Sequence, residues 1–222
     1  MRTRARGYGL VLLLVVASIA MQMMVEGSNA TRFLTVALQA ATLVAAVQVS
    51  GEHRAALRVA ALAAMAAVAA ALLTWIINGE IPPAASATVN GLLVAFAPAA
   101  IARGLIGELR ERREVTVATL AGVLAIYLLA GMFFSFLYGV IGAADAGALF
   151  AGQDTADAGD ALYFSFATLC TVGYGDLTPA GDLARTVAVV EMLAGQIYLV
   201  TVVALIVGNL GRPTAAARPA RR

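Results

Sequence analysis

Apolar positions in this chain fall into six long runs separated by short polar stretches, at about 8–25, 32–50, 57–77, 86–103, 115–139 and 184–208. Each is close to the roughly 20 residues a helix needs to cross a bilayer. Between the last two runs lies a shorter helical pattern, from Asp160 to Cys170. Asp160 is placed to cap it, and Tyr163, Phe164, Phe166 and Leu169 give it an apolar body. It is too short to span and is expected to re-enter the membrane with its C-terminal end pointing inwards, where the partial negative charge of a helix end favours a cation. Gly142 to Gly159 has no hydrophobic period and reads as a loop. Leu105 to Glu114 reads as a charged amphipathic helix along the inner membrane face, with Glu108 and Arg112 at i, i+4.

Composition adds class and orientation. The chain has 222 residues, of which 61% are hydrophobic, and a mean hydropathy of +0.88. That excess is expected of a membrane protein, not of a soluble domain. All 15 basic residues are arginine, which suits a GC-rich bacterial genome. The pI near 9.0 does not imply a nucleic-acid partner, because the arginines gather at span ends. Arg2, Arg4, Arg6, Arg54, Arg58, Arg103, Arg110, Arg112, Arg113, Arg212, Arg218, Arg221 and Arg222 all fall on one side if six spans alternate. The positive-inside rule makes that side, and both termini, cytoplasmic. The opposite loops hold Glu26, Glu80, Asp145, Asp154, Asp157 and Asp160, with Asp176 and Asp182 nearby. The first run carries a cleavage-like Ala17-Ser18-Ile19-Ala20, but its apolar character continues through Met24 and Val25, which favours a span. Cys170 is the only cysteine, so no intrachain disulfide forms, and the lone His53 sits in a polar loop.

The chemistry concentrates in Thr171-Val172-Gly173-Tyr174-Gly175-Asp176. Two glycines one residue apart let the backbone take dihedrals that other residues avoid, so successive carbonyls can point to one side. Rings of carbonyls replace the water shell of a dehydrated monovalent cation. One chain supplies one row of oxygens, so four copies are needed to close each ring. TVGYG is the filter sequence of potassium channels. With the helix YFSFATLC before it and Pro179, Arg185 and an inner span with Gly195 after it, the stretch resembles the pore of potassium channels of the two-span, ion channel 2 type. Counted from Val115, the resemblance covers nearly half the chain.

The resemblance implies an all-α homotetramer in the cell membrane, with a re-entrant pore helix and filter in each subunit. It divides the chain into a voltage-sensor-like bundle at 1–103, a linker at 104–114, a pore domain at 115–211 and a basic tail at 212–222. Carbonyls of Thr171, Val172, Gly173 and Tyr174, with Gly175 completing the strand, would hold K+, the permeant ion, and the Thr171 hydroxyl would close the innermost site. Tyr163 and Phe164 would pack behind the filter as a cuff, with Asp176 at its mouth. Related channels often pair the acid after the filter with a pore-helix Glu; here that position is Ala167, so the supporting network must differ. Gly195 matches the family's gating hinge. Gln196, Leu199 or Val200, Val203 and Val207 recur at helical spacing and are candidates to line the cavity and inner gate.

Several further positions stand out. Glu191 is the one acid inside a span away from its ends, and a charge there costs at least about 2.5–3.5 kcal/mol. It is expected to hydrogen-bond the back of the pore helix or a neighbouring subunit. Gln39, Gln48 and Asn78 are expected at interfaces more than as inter-helix donors, Trp75 as an interfacial anchor, and Pro98 as a kink. The fourth run has the position of a voltage sensor, yet 86–102 contains no basic residue. The function expected is passive K+ conduction with no enzymatic activity. The alternatives are a weakly selective cation channel and, in a different class, a proton-coupled transporter using Glu191.

Overall fold

The computed structural model describes residues 2–24, 28–51, 54–112, 115–144, 149–153 and 155–210, without the side chains of 2–6, 111 and 112. The expected roles of Glu26, His53, Arg113, Glu114, Asp145, Asp154 and the tail arginines therefore lie outside the described residues, as do the side chains of Arg2, Arg4, Arg6 and Arg112.

The fold is all helical. Helix α1 spans Arg2–Met24, α2 Asn29–Ser50, α3 Arg54–Asn78, α4 Pro83–Arg112 and α5 Val117–Ala144. The short α6 is Ala158–Leu169; α7 is Asp182–Tyr198, and it runs through a π-helical turn, Leu199–Val203, into α8, Ala204–Gly208. Six helices among the described residues are long and apolar enough to cross a membrane, with Asp182–Gly208 counting as one.

Helix α5 is the axis of the packing. Helix α1 buries one stripe, Tyr8, Val11, Val15, Ser18 and Gln22, at the three-and-four spacing of a helix face, and lays it against α2 and α5. Helix α4 lies between α2 and α5. Helix α3 is peripheral: it packs almost wholly on α2 and buries only Ala60, Ala64 and Ala71, small side chains that allow close approach. One hydrophobic core joins α1 through α5 with Leu162 of α6 and Ile206 of α8, so packing runs without a break across position 103.

Position 104 is a packing point, not the start of a separate linker helix. Helix α4 continues to Arg112, with Leu105 and Glu108 buried, and Gly104 admits no side chain because a Cβ would stand 2.6 Å from Cα of Ser50. Pro98 is accommodated within this single helix. Gln39, expected at an interface, is buried between helices and donates through Nε2 to Ser18 Oγ at 2.8 Å, whereas Gln48 and Asn78 are exposed. Trp75 tilts against Phe33 at 6.2 Å between ring centroids.

Candidate functional site

Helix α6 begins earlier than its hydrophobic pattern suggests. Asp157 is the N-cap and accepts from Asp160 N, while Asp160 accepts from Asp157 N, a reciprocal capping box. Asp160, expected as the cap itself, is the third residue of the helix. At the other end the chain folds back on the helix terminus. The Ala167 carbonyl accepts from Val172 N at 2.8 Å and Gly173 N at 3.3 Å, and Thr168 O accepts from Thr171 N. The segment TVGYG is thus tied to the negative end of α6.

The dihedrals of that segment alternate. Thr171, Gly173 and Gly175 have φ of 55°, 57° and 82°, and Thr171 is the only non-glycine with positive φ among the described residues. A β-branched residue in the left-handed region is a genuine outlier, and such strain persists where the surroundings impose it. Val172 and Tyr174 are 50% and 71% exposed in the single chain, so this face is left for other contacts.

Support behind the segment comes from side chains. The Tyr163 ring stacks on Tyr174 at 6.1 Å and 7° between planes, and its hydroxyl donates to Asp176 at 2.8 Å. That bond holds the Tyr163 phenol above its usual range. Asp176, with Ala167 where related channels carry an acid, is therefore partnered by a tyrosine. Phe164 does not join the cuff. Adjacent helix positions point about 100° apart, and Phe164 turns the other way, to Tyr138 and Phe150, each at 5.0 Å. There it anchors the loop, which pairs Phe150 with Pro179 and closes Ala151 N to Thr178 O at 2.8 Å. Arg185 donates Nε to Pro179 O at 3.1 Å, fixing the return into α7.

Glu191 is fully buried on α7. It accepts from Tyr138 of α5 at 2.8 Å and meets Ser165 of α6 at 2.5 Å, while Ser165 Oγ also lies 2.7 Å from Gly131 O. Ser165 donates to the Glu191 carboxyl, with Gly131 O as a second acceptor within reach of the same hydroxyl, so two hydroxyls hold the buried acid. Glu191 thereby reaches the back of α6. Tyr138 and Ser165 were not singled out in the sequence. The available signal was a tyrosine inside an apolar span, which needs a partner for its hydroxyl when buried. The same holds for Tyr127, which donates to Leu169 O at 3.2 Å, and for Tyr198, which donates to Val123 O at 2.8 Å and stacks on Tyr127.

Gly195 sits where α7 crosses the end of α6. A Cβ there would collide with the Leu169 carbonyl oxygen, a backbone atom that cannot rotate away. This is a close-packing glycine. Gly195→Ala is expected to cost about 1–3 kcal/mol through overpacking, read as a lower melting temperature. Gly131→Ala should cost less, because its obstacle is the movable Phe166 ring. Equal melting temperatures for wild type and Gly195→Ala would remove the close-packing role.

The row expected at Gln196, Leu199, Val203 and Val207 does not stay on one face. The π turn from Leu199 to Val203 shifts the register. Leu199 and Val203 are half-buried, whereas Gln196, Val200 and Val207 are exposed, together with Leu193 and Ile197.

Residues 122–211 match the ion channel family. Over that stretch the chain is similar to ion channels. It is similar to the inward rectifier potassium channel Kirbac3.1 of Paramagnetospirillum magnetotacticum, 45% identical over 56 residues, covering 25% of this chain and 19% of that protein. It is similar also to two-pore potassium channel b of Oryza sativa subsp. japonica, 52% identical over 44 residues, or 20% and 13% of the two chains. Two-pore potassium channel 5 of Arabidopsis thaliana matches at 42% over 50 residues, or 22% and 12%. The chain spans about a fifth or less of the length of these relatives.

Proposed function

We propose that the protein conducts K+ passively and selectively across the cell membrane, as a homotetramer with TVGYG as its filter. The observation that carries this reading is the alternating backbone from Thr171 to Gly175, tied to the end of a half-span helix. Alternating handedness turns successive peptides the same way, so the carbonyls of Thr171, Val172, Gly173 and Tyr174 form one row facing the axis, and four rows make the K+ sites. The exposed apolar residues of α7, among them Leu193 and Ile197, are the surface on which four copies assemble. Positive-inside orientation puts Asp176 and the loop before α6 outside and both termini in the cytoplasm. Tyr163, Asp176 and Glu191 hold the filter from behind. The relatives, named as potassium channels, support the choice of ion. The test is K+ flux from liposomes containing only the purified protein. Flux above empty vesicles is expected; none in any condition would count against a channel.

The pore is not voltage-gated. Moving one elementary charge across the membrane is worth about 2.3 kcal/mol per 100 mV, and steep gating sums several charges from each subunit. Between Ser86 and Ala102 helix α4 offers none, and Arg103 stands at its cytoplasmic end. Open probability is expected to change little between strongly negative and strongly positive potentials. A steep sigmoid equivalent to several gating charges would refute this.

A further inference from the structure

A cavity lies at the end of the spans that carries the α6 N-terminus. It has a volume of about 530 Å³, within the range of small-ligand sites, and is walled by α1, α2, α4, α5 and the start of α6. Three helices begin at its mouth: Thr31 and Arg32 stand in the first turn of α2, Pro83 starts α4, and Ala158 and Gly159 start α6. Helix N-termini carry partial positive charge and attract anions. Arg32 adds a full charge. One of its nitrogens, Nη1, is fixed by Ile81 O at 2.6 Å, which orients the guanidinium at the rim. The one acid among the described lining residues, Asp157, is engaged as the α6 cap.

The lining also includes Asn90, which is 1% exposed. Its Nδ2 folds back onto Ser86 O at 2.9 Å, one turn up its own helix, and this directs Oδ1 off the helix. That oxygen has no hydrogen-bond partner among the described residues. A buried unpaired acceptor is costly, so it calls for a donor from outside the chain. Ser86, Thr35 and Ser135 line the cavity beside it, and Phe136, Leu149 and Met23 supply apolar wall. Met23 also lines a second, apolar cavity that runs from Ile19 of α1 along α6 to Val172 and Tyr174.

We propose that this cavity binds an anionic phosphodiester bearing hydroxyl donors, the headgroup of a phosphatidylglycerol-type lipid in the outer leaflet. The phosphate sits at the mouth between Arg32 and the helix N-termini, the glycerol hydroxyls reach Asn90 Oδ1, and the acyl chains leave past Met23 along the apolar groove. The site sits between the first four spans and the N-cap of the pore helix. A lipid there bridges the two halves of the chain.

The experiment measures the melting temperature of the purified protein with dioctanoyl-phosphatidylglycerol, dioctanoyl-phosphatidylcholine or glycerol phosphate. Phosphatidylglycerol is expected to raise it in a saturable way, and phosphatidylcholine is not. Ala87→Phe, which fills the cavity from α4, should abolish the shift. Arg32→Gln should weaken half-saturation at least fivefold, as should Asn90→Leu, which removes the orphan acceptor without adding a polar group. An equal shift from glycerol phosphate would assign the same site to a soluble phosphate ester. Equal shifts from both lipids, or a phosphatidylglycerol shift unchanged in Ala87→Phe and Asn90→Leu, would overturn the proposal.

Discussion

Gly175→Ala is expected to abolish selective K+ conduction. At φ of 82° the residue occupies backbone space that an L side chain rarely enters, and nothing lies within 4 Å of where a Cβ would be. The penalty is therefore conformational, not a clash within the subunit. It amounts to about 1–2 kcal/mol per subunit, or roughly 4–8 kcal/mol over four. Because each 1.4 kcal/mol is about a factor of ten, the alternation should collapse to a non-conducting backbone. Gly173→Ala, at φ of 57°, lies in the region other residues can visit and should lose less. Single-channel recording of both variants decides this. Wild-type conductance and K+ over Na+ selectivity in Gly175→Ala would refute the filter assignment.

The second large effect is expected at Glu191. In Glu191→Leu the Tyr138 hydroxyl is left buried without its acceptor, at about 1–3 kcal/mol per subunit. Ser165 loses less, since it still has Gly131 O within reach. Glu191→Gln should be tolerated better, because its carbonyl still accepts from Tyr138 while its amide can donate to Ser165 Oγ, which turns its own proton to Gly131 O. Heat resistance of the assembled channel and open probability are the readouts. If Gln fell as far as Leu, hydrogen bonding alone would not be what Glu191 supplies; if neither changed, Glu191 would have no supporting role.

These expectations show how unevenly the sequence reveals the molecule. The six spans were readable because each is a long apolar run with arginines at its ends. The Thr171–Asp176 stretch was readable because its glycines alternate. Packing direction was not. Tyr163 and Phe164 are neighbours in sequence, yet one supports Tyr174 and Asp176 and the other anchors the loop at Phe150. The Asp157–Asp160 box was hidden because both acids could cap a helix, and the hydrophobic pattern starts only at Ala161. The π turn at Leu199–Val203 breaks the very periodicity used to infer a lining row, so no count at a period of 3.6 could recover it. Glu191 announced itself as an acid in hydrocarbon, but its partners Tyr138 and Ser165 lie 53 and 26 residues away in the chain. Only the crossing of α5, α6 and α7 brings them together.

The central claim is selective K+ conduction through the backbone of residues 171–175, and it is tested most directly by the reversal potential under bi-ionic K+ and Na+ conditions with the purified protein in a planar bilayer. A reversal potential displaced strongly towards that expected for K+ alone is predicted. A value near zero, with the two ions carrying comparable current, would contradict it.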